Sequence, residues 1–155
     1  MTTAELDRLA LLHPEALWRV ERVIQRMAAR GFDVYVGRTL GTAADVAAAV
    51  AAGRAAKGMK VDWHMLRRAA DLRQRKKDGG PNFDQSAASE PFWRALYEEA
   101  TAMGLRSLAY HPDGTKFIIQ TSKGPIWDSG HVEYRAPHAT LAAAVAAELP
   151  RAEVA

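Results

Sequence analysis

The sequence predicts an α+β fold in which a small antiparallel sheet is packed with helices. Two observations carry this expectation. Apolar residues recur at helical spacing early in the chain and again after Ser89, whereas short runs of period two separated by turn signals dominate after Gly104. Helices grouped ahead of hairpins suit α+β better than alternating βαβ units. With 155 residues, 48% hydrophobic and 25% charged, the chain is expected to be one globular domain over residues 1–155, large enough to bury a core.

The elements follow in order. Pro14 suits a first helical turn, and Leu17, Val20, Ile24 and Met27 keep helical spacing until Gly31, which predicts a helix over residues 14–30. FDVYV alternates and is rich in β-formers, so a strand over 32–36 delivers Gly37 and Arg38 at its end. Thr42 caps an alanine-rich helix through about Ala52, and Gly53 and Gly58 punctuate the loop after it. The segment after the basic run RQRKK is turn-rich and too polar for the core, hence a surface loop. Ser89 and Pro91 open a helix whose Phe92, Leu96, Ala100 and Met103 share one face before Gly104. A meander follows, with strands to about Tyr110, over 116–120 and over 131–135, joined by Pro-Asp-Gly and Ser-Lys-Gly turns. The tail over 139–149 is alanine-rich and reads as a last helix.

Composition limits the chemistry. Without cysteine, disulfides and thiolate metal sites are excluded, so any metal must be held by the five histidines and by carboxylates. No apolar run is long enough to span a membrane. The N-terminal stretch carries acidic residues before any apolar run, unlike a signal peptide, so synthesis in the cytoplasm is expected. A net charge of +3 favours a polyanionic target.

The stretch WHMLRRAADL admits two readings. As a helix over 63–77 it is respectable, with good formers and basic residues toward its end. As a metal site it needs His64 and Asp71 together. Their separation spans about 10.5 Å on a continuous helix and roughly 20 Å on a strand. Only a chain that reverses between them can bring both to one ion. WDSGHVEY supplies a second pair, Asp128 and His131, around a small Ser-Gly step. Separately, Asp128 can be an ordinary turn residue and His131 a partly buried strand histidine.

The order H-x6-D, later followed by D-x2-H, resembles the VanY-type zinc peptidases of peptidoglycan, which include D-alanyl-D-alanine carboxypeptidases and phage L-alanyl-D-glutamate endolysins. VGRTLGTAADVAAAVAAGRAAKG looks like that family's strand-end arginine, helix and Gly-Arg-x-x-x-Gly segment, with Arg38, Gly53, Arg54 and Gly58 in matching places. The likeness runs from about Leu12 to Arg135. It implies a hedgehog/DD-peptidase-like fold whose sheet carries one zinc ion on His64, Asp71 and His131, with a fourth position open to water. It further implies Asp128 as the catalytic carboxylate, Arg38 as the oxyanion-stabilising cation, and a peptidoglycan stem peptide as substrate. An endolysin of this kind acts on the cell wall after release through membrane holes. Two departures stand out: Asp62 occupies the place of the family's serine and Arg67 that of a glycine.

Two other readings compete. Arg67, Arg68, Arg73, Arg75, Lys76 and Lys77 could contact phosphates, although no Gly-rich phosphate loop or nucleic-acid reader motif accompanies them. Alternatively, Arg67 marks an inactive peptidase scaffold serving as a structural or wall-binding part. Glu133 shares the face of His131 if the segment is a strand, so it either orients that ligand or is a surface charge. Trp63 and Trp127 are expected to be packing walls.

Overall fold

The computed structural model describes residues 1–149, so the end of the expected 1–155 domain lies outside the described residues. In chain order the elements are α1 (Thr3–Ala10), α2 (Pro14–Ala29), β1 (Val34–Val36), α3 (Ala43–Ala51), β2 (Ala69–Gln74), a 3-10 turn (Ala87–Ser89), α4 (Glu90–Ala102), β3 (Arg106–Ser107), β4 (Ile118–Thr121), β5 (Gly124–Trp127), β6 (His131–Glu133) and α5 (Leu141–Glu148). Four strands form an antiparallel sheet in the order β1-β2-β6-β3, and β4 and β5 form a separate hairpin. The expected α+β class, with helices packed on a small antiparallel sheet, is the fold observed.

Helices α2 and α4 cover one face of the sheet. Val20, Val23 and Met27 of α2 and Phe92, Trp93 and Leu96 of α4 bury against Val34, Val36, Ala70, Leu72 and Val132. Glu99 of α4 ties the two helices together by pairing with Arg26 and Arg30. A smaller apolar cluster, in which Trp63, Leu66 and Ala69 meet Leu141, Ala144 and Val145, holds α5 against the chain just before β2.

Several expectations need correcting. Residues 63–77 are not a helix: a turn precedes Ala69, and β2 pairs with both β1 and β6. Strand propensity in Ala69–Gln74 is weak, so pairing on two sides rather than composition makes this segment extended. Helix α1 was not expected; its Thr2 and Glu5 form a reciprocal capping box. The meander is broken, since only β3 and β6 join the main sheet while the turn at Ser122 and Lys123 closes a β4–β5 hairpin apart from it. The strand expected over 32–36 is shortened to Val34–Val36 and that over 131–135 to His131–Glu133. The expected last helix over 139–149 is α5.

Candidate metal centre

Strand register builds most of the site. In the β2–β6 pairing Asp71 lies opposite His131, Ala70 opposite Val132 and Ala69 opposite Glu133. Successive side chains of a strand point to opposite faces, so Ala70, Leu72 and Val132 enter the core while Asp71, His131 and Glu133 share the other face. Gly130 leads into β6 where Leu72 N–H donates to its carbonyl at 2.8 Å, and a Cβ on Gly130 would collide with the Leu72 carbonyl. Close approach at this point requires glycine.

His64 comes from the turn ahead of β2. Arg67 N–H donates to the His64 carbonyl at 3.0 Å, and Arg68 N–H to that of Trp63 at 3.0 Å. Arg67 adopts φ 59, the left-handed conformation that ordinarily favours glycine. The chain therefore makes the reversal with an arginine in the glycine's place. Asp62 also serves the turn: its carboxylate accepts from Met65 N–H at 3.1 Å.

His64, Asp71 and His131 converge. Asp71 Oδ1 lies 3.1 Å from His64 Nε2 and 3.4 Å from His131 Nδ1, and one donor atom from each residue falls within 4.8 Å of the others. Donors held at 2.0–2.1 Å around a tetrahedral zinc ion lie about 3.3 Å apart, so this spacing suits such an ion. His131 Nε2 donates to Glu133 Oε2 at 2.9 Å, which presents Nδ1 to the cluster. Buried Glu133 is thus an orienting group and not a surface charge. His64 is fully buried, and its Nδ1 has no hydrogen-bond partner among the described residues. Two imidazoles and one carboxylate fit zinc.

Arg38 and Asp128 border this cluster. Gly37 N–H donates to the Asp71 carbonyl at 2.8 Å, and Asp71 N–H to that of Arg38 at 2.9 Å, so the end of β1 lies along the start of β2. The Arg38 guanidinium sits 3.4 Å from Asp71 Oδ2 and 3.5 Å from Asp62 Oδ2. Asp128 Oδ2 is 3.9 Å from His131 Nδ1. Gln85, not anticipated from the sequence, donates to the Trp127 carbonyl at 2.6 Å and to Ser129 Oγ at 2.8 Å, fixing the segment that carries Asp128.

Charges in the cluster are interdependent. Burial alone would raise the Asp71 carboxyl, but His64 and His131 hold it well below the usual carboxylate range. Burial opposes protonation of His131, yet its hydrogen bonds to Asp71 and Glu133 and the charge of Asp128 push it well above the ordinary histidine value. Asp128 is raised, chiefly by burial and also by the Asp71 charge, although His131, His64 and Arg73 oppose the shift. A divalent cation at the cluster would favour the ionised carboxylates and the neutral imidazoles.

The other histidines lie apart. His13 Nδ1 accepts from Glu15 N–H at the start of α2, His111 packs on Phe117, and His138 pairs with Glu148. Trp63 and Trp127 are buried and act as packing.

The fold with this cluster on its sheet defines a peptidase architecture. It is similar to that of Serratia marcescens ChiX, an L-Ala D-Glu endopeptidase, with a TM-score of 0.57 and 16% sequence identity over 86% of this chain and 88% of that one. No protein-family model and no curated protein sequence matches the chain. None of the helices among the described residues is long and apolar enough to cross a membrane.

Proposed function

We propose that this chain is a zinc-dependent peptidase of the VanY type that hydrolyses a peptide bond in peptidoglycan stem peptides, in the manner of a phage endolysin. The observation that carries this reading is the convergence of His64, Asp71 and His131 beside Asp128. The shared fold with an L-Ala D-Glu endopeptidase supports the substrate class.

His64, Asp71 and His131 would hold the ion. Bound zinc supplies Lewis acidity, making a water nucleophilic at neutral pH and polarising the scissile carbonyl. Glu133 keeps the His131 ring turned toward the cluster. Asp128 accepts the proton of the attacking water and returns it to the leaving amine, a role that requires a carboxylate at the edge of the site. Arg38 brings positive charge to the place where the carbonyl oxygen becomes an oxyanion. The left-handed backbone at Arg67 weakens the case for an inactive scaffold, because the substitution does not prevent the turn.

The test measures zinc per chain and release of amino groups from purified peptidoglycan, with and without chelator. Wild type is expected to carry about one zinc and to lose activity on chelation. Asp128→Asn should retain metal while slowing cleavage by roughly 10²–10⁴-fold, and His64→Ala should lose the metal. Cleavage that survives both chelation and His64→Ala would refute the proposal.

A further inference from the structure

Two depressions meet at Asp128. The smaller, with a volume of about 200 Å³, is mainly apolar, with Met59, Trp63, Leu108 and Leu141 in its wall. The larger, of about 860 Å³, runs past Tyr35, Phe83 and Ile126. Arg38, Ala49, Arg54 and Asp128 line both, so neither side of the catalytic carboxylate is walled off from the other. A peptide can continue in both directions from a bond placed there, as cleavage at an internal bond requires.

The larger depression also carries uncommitted positive charge. Elsewhere arginines are matched to carboxylates, as Arg75 is to Glu5, Arg68 to Glu148 and Arg135 to Glu133. Arg54 and Arg73 have no carboxylate within ion-pair distance among the described residues. The acidic groups on the same wall are already engaged: Asp45 accepts from the Thr42 N–H and hydroxyl at 2.8 and 2.9 Å, and Asp71 faces the two histidines. Arg73 is nevertheless positioned, because its guanidinium lies 4.8 Å from the centre of the Phe83 ring. Phe83 is 69% exposed at the rim, on the loop that Gln85 fastens to the Asp128 segment. Stacking orients a guanidinium without neutralising it, leaving its fork free for a carboxylate.

We infer that Arg73, seated on Phe83, and Arg54 form a subsite for the free carboxylate of an acidic residue in a peptide whose other side lies in the apolar depression. This rests on the peptidase reading and narrows it to an endopeptidase cutting between a small neutral residue and an acidic one. Arg73 and Arg54 then determine specificity and take no part in proton transfer.

The experiment compares two synthetic peptides, L-Ala-γ-D-Glu-L-Lys and its counterpart with the glutamyl α-carboxylate converted to the carboxamide. Cleavage is followed with the zinc-loaded full chain, and binding with the Asp128→Asn protein. A charge-assisted contact predicts roughly tenfold or greater preference for the carboxylate in wild type. Arg73→Gln and Arg54→Gln should bring that ratio toward one, mainly through KM, whereas Arg22→Gln, which removes a distant surface charge, should keep it. Equal handling of the two peptides by wild type, or a preference that survives the Arg54 and Arg73 double variant, would overturn the subsite. Carboxylate-selective binding that depends on Arg73, without cleavage, would sustain the subsite and defeat the peptidase reading. Absence of both binding and cleavage would defeat both.

Discussion

Arg67 shows how one backbone angle can decide a site. Its φ of 59 is disfavoured for a side-chain-bearing residue, and the Arg67 side chain is exposed with no ion partner among the described residues. Arg67→Gly should therefore stabilise the fold by up to about 1 kcal/mol, with the gain limited by glycine's freedom in the unfolded chain. Arg67→Val should destabilise it by roughly 1–2 kcal/mol, since a β-branched residue resists that conformation most. Urea titration of the three proteins measures both changes. At Glu133 the effect falls on the neighbouring ring. Glu133→Ala frees the His131 imidazole to rotate and should weaken zinc binding by about 10- to 100-fold, read by competition with a chromogenic chelator. Undiminished affinity would mean that strand β6 alone holds the ring.

At the scale of elements, β2 is the member on which the others depend. It pairs with β1 and β6 and carries Asp71 outward while Ala70 and Leu72 fill the core. Its end is also where α1 is attached. Fully buried Glu5 receives Arg75 at 2.8 Å and the Val36 N–H at 2.8 Å. Burial would raise the Glu5 carboxyl, but Arg75, the Thr2 and Val36 N–H groups and the Thr2 hydroxyl lower it from 4.5 to about 2. The folded state thus favours the ionised form. Its contribution is complete above pH 4.5 and is lost as pH falls toward 2, because below both values the two states bind the same proton. Glu5→Gln should cost about 2–3 kcal/mol at pH 7 and flatten the stability profile between those limits. A profile identical to wild type in that window would show that α1 is held by its apolar contacts alone.

For the whole molecule, the candidate metal centre gathers a turn and two strands that are distant in the chain. An unfolded chain cannot hold His64, Asp71 and His131 together, so an ion that binds them adds its binding free energy to folding. Zinc at 100 times its dissociation constant should stabilise wild type by about 2.7 kcal/mol. Thermal melts at increasing zinc should therefore rise, and His64→Ala should remove most of the dependence. An equal rise in the His64→Ala protein would place the ion elsewhere.

Helices α2, α3 and α4 were legible because their periodicity and caps are local properties, and the first and last strands were legible through alternation. The paired motifs around His64 and Asp71 and around Asp128 and His131 likewise named the candidate residues in advance. Sequence could not choose between a helix and a turn for residues 63–68, because good helix formers and the reversal use the same local composition. It also missed β2, whose extended form comes from two neighbouring strands, and it missed Arg54, Arg73, Phe83 and Gln85 as a group, because their proximity arises only when α3, β2 and the loop after β2 close around one cleft. Local pattern therefore determined which residues could do chemistry, whereas long-range strand pairing decided which of them face one another.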